Sequence, residues 1–302
     1  MTLVLTLIGD QKGAALDGPV LAQVAQDLAA TGIEASAPIW LSDGEAADFE
    51  IAGSDQDTVA SVALRAVAGL AIDIGVQPTA NRRKRLLIAD MDSTIIQQEC
   101  IDELADAMGR RDEVSEITER AMHGEIDFEE ALRARAAMLS GLDATAMEDV
   151  YRERITLTPG AKTLTATMKA NGALTALVSG GFTFFTQRIR DHAGFNIDQA
   201  NELLIDDHGH LSGEVATPIL GKAAKLQALS DLSAENALEL PDTMAVGDGA
   251  NDLAMIEAAG LGVAFHAKPA VAAKADVQVI HNDLTALLFL QGYRRDEFVT
   301  AD

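Results

Sequence analysis

Cysteine is nearly missing from this 302-residue chain: Cys100 stands alone, so no disulfide can form within it. A cross-linked framework of the kind that holds small secreted folds together is thereby excluded. Met1-Thr2-Leu3 lacks the basic start of a secretory leader, and a reducing cytoplasm is the expected compartment. Bases are also scarce. Against 47 Asp and Glu there are 23 Lys and Arg, a formal charge of -24, which repels phosphate backbones and anionic bilayers and argues against nucleic acid or membrane as a partner. No apolar run reaches the ~20 residues that cross a bilayer. Aromatic residues are only 4% of a chain that is 48% apolar, so Ala, Leu, Val and Ile must fill the core, which suits an α/β globule and excludes disorder.

What is present begins with Leu86-Leu87-Ile88-Ala89, an apolar run that ends on Asp90-Met91-Asp92-Ser93-Thr94. Such a run fits a buried strand of a parallel sheet, and ligands of α/β proteins bind beyond the carboxyl ends of those strands. Residues i and i+2 of an extended segment share a side, so Asp90 and Asp92 can face one reacting centre, and two carboxylates together need a cation. Taken alone, Asp-x-Asp also fits a solvated turn.

Before that run, Leu3 to Ile8 reads as a strand and Val20 to Ala30 as a helix stopping near Gly32. Ala35 to Leu41 and Phe49 to Ala52 read as strands, Thr58 to Leu70 as a helix and Ala71 to Val76 as a strand before Pro78. The order β-α-β-β-α-β predicts a ferredoxin-like α+β domain over residues 1–80, similar to ACT-type small-molecule-binding domains. Its expected partner is a second copy of the chain or an amino-acid effector. Asn81-Arg82-Arg83-Lys84-Arg85 is the most basic cluster and reads as a solvated linker.

After Thr94 the pattern turns helical and charged, with Ile101, Leu104, Ala105 and Met108 at helical spacing, and the insert over about 98–158 is placed to cap the crevice. Leu174 to Val178 followed by Ser179-Gly180-Gly181, and Thr243 to Val246 followed by Gly247-Asp248-Gly249, repeat the plan of an apolar strand and a polar turn.

Asp90-Met91-Asp92-Ser93-Thr94, Ser179-Gly180, Lys222 and Gly247-Asp248-Gly249-Ala250-Asn251-Asp252, in that order, resemble the motifs of the haloacid dehalogenase-type phosphatases. Gln97-Gln98-Glu99-Cys100-Ile101-Asp102-Glu103 and Phe128-Glu129-Glu130-Ala131-Leu132-Arg133-Ala134-Arg135 are similar to the branch that hydrolyses phosphoserine in the last step of L-serine biosynthesis. The resemblance implies a Rossmann-like parallel sheet with a helical cap over residues 81–302, and turnover through an aspartyl-phosphate.

It further implies Asp90 as nucleophile and Asp92 as proton donor and acceptor, with a carboxyl held protonated by Asp90, Asp248 and the substrate phosphate. One Mg²⁺ would be held by Asp90, Asp248 and the backbone carbonyl of Asp92. Ser179, Gly180 and Lys222 would cradle the phosphate, with Lys225 as the rival lysine. Asn251 would meet phosphate or substrate, and Asp252 would support the ion or orient the lysine. A bound phosphoserine presents an ammonium and a carboxylate, which Glu99 and Arg135 complement. Met122 and Phe128 occupy cap positions that fit packing as well as substrate cover. Cys100 reads as a small core residue, and His208 and His210 as turn residues. Other phosphomonoesters, phosphotransfer to an alcohol, a long-lived phospho-acceptor and an amino-acid sensor are the alternative activities.

Overall fold

The computed structural model describes residues 2–10, 16–122 and 125–300; the side chains of Glu119, Ala121, Met122 and Lys222 fall outside the described set. In the N-terminal part, β1 (Thr2–Gly9), α1 (Gly18–Ala30), β2 (Glu34–Ala35), β3 (Ile39–Ser42), β4 (Ala46–Ala52), α2 (Gln56–Ala66) and β5 (Ile72–Pro78) follow one another. The strands form an antiparallel sheet in the order β2-β4-β1-β5, with β3 also paired to β4. Asp17 and Asp55 start the two helices by accepting from Val20 N and Thr58 N. Their apolar stripes, Leu21-Val24-Leu28 and Val59-Val62-Ala63, pack with Leu3, Leu5, Leu7, Phe49 and Ile51. The single strand expected over Ala35 to Leu41 is two short ones, broken around Pro38, which has no N–H to give a ladder.

The second part is built on β6 (Leu86–Ala89). Helices α3 (Cys100–Ala107), α4 (Arg111–Met122), α5 (Phe128–Met138) and α6 (Thr145–Arg154) are inserted after it. Then come α7 (Ala161–Ala170), β7 (Leu174–Phe182), α8 (Thr183–Ala193), β8 (Ile197–Asn201), a hairpin of β9 (Leu203–Ile205) and β10 (Leu211–Val215), and α9 (Lys222–Glu235). The chain closes with β11 (Thr243–Gly247), α10 (Leu253–Ala258), β12 (Gly262–Phe265), α11 (Pro269–Ala272), β13 (Val277–Val279) and α12 (Ala286–Leu290). Six strands pair in parallel in the order β13-β12-β11-β6-β7-β8. All four residues of β6 are buried, as continuous apolar strands between helical layers must be. The order reverses direction at β6, which places a crevice beyond its carboxyl end.

The two parts share apolar and polar contacts. Ile8, Leu41 and Ala46 join the core that contains Val277 and Leu290, and a Cβ on Gly75 would come within 2.4 Å of Leu290 Cδ2. Buried Asp73 of β5 accepts from the backbone N–H groups of Ile280, His281 and Asn282.

The cluster at 81–85 is not a solvated linker. Arg82 donates to both oxygens of Asp48 at 2.7 and 2.8 Å and to the Leu290 carbonyl at 2.9 Å. Arg83 pairs with Glu297 and lies over the Tyr293 ring. Lys84 is buried, with Nζ donating to the carbonyls of Pro241 and Gly260. The two parts present acids and carbonyls to this segment, so its charges are used for docking.

Candidate active site

Asp90 leaves β6 in extended conformation, and its N–H donates to Val246 O of β11 at 3.0 Å. Residues 91–95 form a single wide turn in which Ser93 takes a left-handed φ of 55°. That conformation is costly for a residue other than Gly, Asn or Asp, and it is offset here by three bonds. Ser93 N donates to Gln98 O, Ser93 Oγ donates to Glu99 Oε1 at 2.7 Å, and Ile96 N donates to Met91 O. The turn brings Asp92 Oδ1 to the Cys100 N–H, 3.1 Å away at the start of α3.

Lys225 lies at the centre. From α9 its Nζ reaches Asp90 Oδ1 at 2.7 Å and Asp252 Oδ1 at 2.6 Å, and all three side chains are buried. The other oxygen of Asp252 accepts from Gly249 N at 3.0 Å. Asp252 therefore spends both oxygens in holding the lysine and the loop. The lysine beside Asp90 is thus Lys225, three residues along the helix from Lys222, whose side chain lies outside the described residues. Asp248 follows β11 and lies 3.5 Å from Thr94 Oγ1. Oxygen atoms of Asp90, Asp248 and Asp252 fall within 4.8 Å of one another.

Ser179, Gly180 and Gly181 belong to the extended end of β7 rather than to a turn, with a register shift against β8 between Val178 and Phe182. Gly181 N donates to Ser179 Oγ at 2.8 Å. Its own Cα runs so near the acid pair that a Cβ would sit 2.9 Å from Asp92 Oδ2. Gly181 is thus a site position that was not singled out from the sequence, although it is one residue from one that was. A Cβ on Gly180 would come 3.0 Å from Phe128 Cζ, so the first residue of α5 covers this strand. The Met122 side chain lies outside the described residues.

Charge is unbalanced in this space. Burial first, then Asp252, raises the Asp90 carboxyl well above the usual range, against the pull of Lys225. Burial and then Glu99 push Asp92 to about 7, opposed by the Cys100 N–H. Glu99, rather than Asp90 and Asp248, is thus its main repelling neighbour. Burial and then Asp252 push Asp248 to about 6. For Lys225 burial opposes the ammonium, but Asp252 and Asp90 outweigh it and hold the amine above its ordinary value. One buried ammonium against Asp90, Asp92, Asp248 and Asp252 leaves the carboxylates either protonated or in need of a cation. All-oxygen, carboxylate-rich donors suit a hard divalent ion.

Glu99 and Arg135 attract each other by charge, and both interact with Asp92. Glu99 is desolvated and repelled by Asp102, which raises its carboxyl, while Ser93, Arg135 and Lys268 act in the opposite sense. Arg135, on α5, is attracted to Glu99, Asp102 and Asp92, and its guanidinium donates at 3.4 Å to Ala131 O and Thr118 Oγ1. Asn251 lies in the loop after Asp248, with its Oδ1 against Gly249. Lys268, which precedes α11, acts on both Glu99 and Asp248, and no motif marked it. Cys100 is buried and its thiol is pushed well up by burial and then by Asp92, as suits an inert core residue. His208 and His210 donate their N–H groups to Asp206 in the hairpin turn. No helix among the described residues is long and apolar enough to cross a membrane.

A parallel sheet whose central strand delivers an Asp-x-Asp pair to a lysine, with a second acidic loop on one neighbouring strand and a Ser-Gly-Gly segment on the other, defines a class. The chain belongs to the haloacid dehalogenase-like hydrolases, whose family model matches residues 87–257. Among individual proteins it is similar to phosphoserine phosphatase from Streptomyces coelicolor, with 42% identity over 85% of this chain and 63% of that one. The chain therefore spans less than two thirds of that relative. A solved HAD family hydrolase from Salmonella enterica serovar Typhi superposes with a TM-score of 0.83 at 29% identity, covering 98% of this chain and 99% of that one. A phospho-aspartyl intermediate analogue of phosphoserine phosphatase superposes with a TM-score of 0.64 at 39% identity, over 68% of this chain and 98% of that one.

Proposed function

We propose that the protein is a Mg²⁺-dependent phosphoserine phosphatase that converts O-phospho-L-serine and water into L-serine and phosphate. Two observations together support the reading: the Asp90 carboxylate 2.7 Å from the Lys225 ammonium, and the charge interactions that link Asp92 to Glu99 and Glu99 to Arg135. The first can exchange a phosphoryl group; the second complements an amino-acid head.

Asp90 attacks phosphorus, forming an aspartyl-phosphate as the bond to the serine oxygen breaks. Asp92, whose carboxyl is pushed up to about 7, gives its proton to the departing oxygen and takes one from the water that attacks the intermediate. The Ser179 hydroxyl, the Gly180 N–H and the Lys225 ammonium bind the phosphoryl oxygens, and Asp252 holds the lysine. Asn251 contacts the phosphate or substrate. Glu99 takes the substrate ammonium and Arg135 its carboxylate. Mg²⁺ fits the oxygen donors, and when held by Asp90, Asp248 and the Asp92 carbonyl it would neutralise charge as one anion attacks another. The domains are read as a ferredoxin-like, ACT-like unit at 1–80 and a phosphatase unit at 81–302 capped by about 98–158. A second copy or an amino-acid effector remains assigned to the first unit, and a cytoplasmic setting to the whole.

The test is phosphate release from a panel of phosphomonoesters with and without Mg²⁺. Phosphoserine is expected to lead, with loss of turnover on chelation. Generic esters hydrolysed faster would overturn the substrate.

A further inference from the structure

Glu99 is only as well placed as the chain that leads to it. The two segments that enter and leave the cap run side by side: Ile96 bridges Leu157, Gln97 N donates to Thr156 O at 3.0 Å, and Thr158 N donates to Ile95 O at 2.9 Å. Gln98 crosses between them with its whole carboxamide. Its Nε2 donates to Thr156 Oγ1 at 2.8 Å, and its Oε1 accepts from Thr156 N at 2.9 Å. Its backbone carbonyl accepts from Ser93 N at 3.2 Å, and Ser93 Oγ in turn donates to Glu99 Oε1 at 2.7 Å. Glu99 is thus fixed from behind by Gln98 and from the side by Ser93.

We propose that Gln98 and Thr156 form a clasp between the two cap linkers, and that this clasp positions Glu99 for the amino group of the substrate. The inference rests on the phosphoserine reading and adds positioning residues that touch neither phosphate nor metal donors. Two bonds near the surface contribute modestly, so their loss lets Glu99 wander without unfolding the cap. The nucleophile Asp90 is held by a separate contact, to Lys225 of α9, and Asp92 by the backbone N–H of Cys100 at the start of α3, a bond no clasp side chain makes. The clasp therefore acts on recognition rather than on the chemical step.

The experiment compares phosphoserine with its deamino analogue, 3-phosphonooxypropionate, in wild-type, Gln98→Ala, Thr156→Val and Thr156→Ser proteins. Wild type is expected to prefer phosphoserine. Gln98→Ala and Thr156→Val should raise KM for phosphoserine about five- to tenfold, from the loss of one or two such bonds, with kcat nearly unchanged and the deamino analogue unaffected. Thr156→Ser keeps both partners and should behave as wild type. A loss shared equally by both substrates, or no loss in Gln98→Ala, would overturn the clasp while leaving the phosphoserine reading intact. A wild-type protein indifferent to the amino group would overturn that reading, and this assignment with it.

Discussion

Replacing Lys225 with Met keeps the volume and removes the only buried cation among the described carboxylates around Asp90. Its Nζ lies 2.7 Å from Asp90 and 2.6 Å from Asp252, the latter side chain being fully inaccessible. Breaking a buried pair by removing one partner costs about 3–5 kcal/mol, because the other charge is stranded. Here two are stranded, in a protein whose whole stability is expected to be about 5–15 kcal/mol. Urea unfolding at pH 7.5 in the presence of a chelator should show that loss as a lower midpoint at unchanged slope. The sign of the pH dependence follows from the carboxyls. Without the lysine the Asp90 carboxyl, already raised by burial, rises further above the unfolded value, so the folded variant binds more protons, and its deficit shrinks as pH falls from 7.5 toward about 5. Turnover should fall by about 10²- to 10³-fold through loss of a preorganised charge on the phosphoryl group. Lys222→Met should keep both stability and turnover near wild type. A Lys225→Met loss below about 1 kcal/mol, or a Lys222→Met variant that is dead while Lys225→Met is active, would refute the reasoning.

Metal-free protein should become less stable as pH rises through the window between the unfolded carboxyl value of 3.8 and the raised values of about 6 and 7 for Asp248 and Asp92. The folded state binds the extra protons there, so thermal unfolding with a chelator should give a higher midpoint at pH 5 than at pH 7.5, and added Mg²⁺ should help more at the higher pH. Gly181→Ala should cut kcat at least tenfold with little change in fold, because its methyl would lie 2.9 Å from Asp92 Oδ2; steady-state kinetics decide it. Asp73→Ala removes the buried acceptor shared by the N–H groups of residues 280–282 and should cost about 1–3 kcal/mol in chemical unfolding. Unchanged stability would mean that the two parts are not tied there.

The candidate site was legible because its residues follow strands in sequence: Leu86 to Ala89 announces the element that carries Asp90, and Thr243 to Val246 the one that carries Asp248. Lys225 was harder. It lies one turn from Lys222 on the same helix, and only the distance to Asp90 across the fold chooses between them. The basic segment at 81–85 looked solvated because its partners, Asp48, Pro241, Leu290 and Glu297, lie far off in sequence. Asp73 sat unnoticed in an apolar strand for the same reason, its N–H partners being more than 200 positions away. Local periodicity reads elements and their ends, whereas the use of a buried charge is set by what another element brings to it.

The central claim is that the Asp90 carboxylate receives the phosphoryl group. Protein mixed with phosphoserine carrying labelled phosphate, quenched in acid within one turnover and mapped by peptide, should carry acid-stable, alkali-labile label on residue 90, and Asp90→Asn should carry none. Hydrolysis of phosphoserine with no label at residue 90, or with label that persists in Asp90→Asn, would contradict the account.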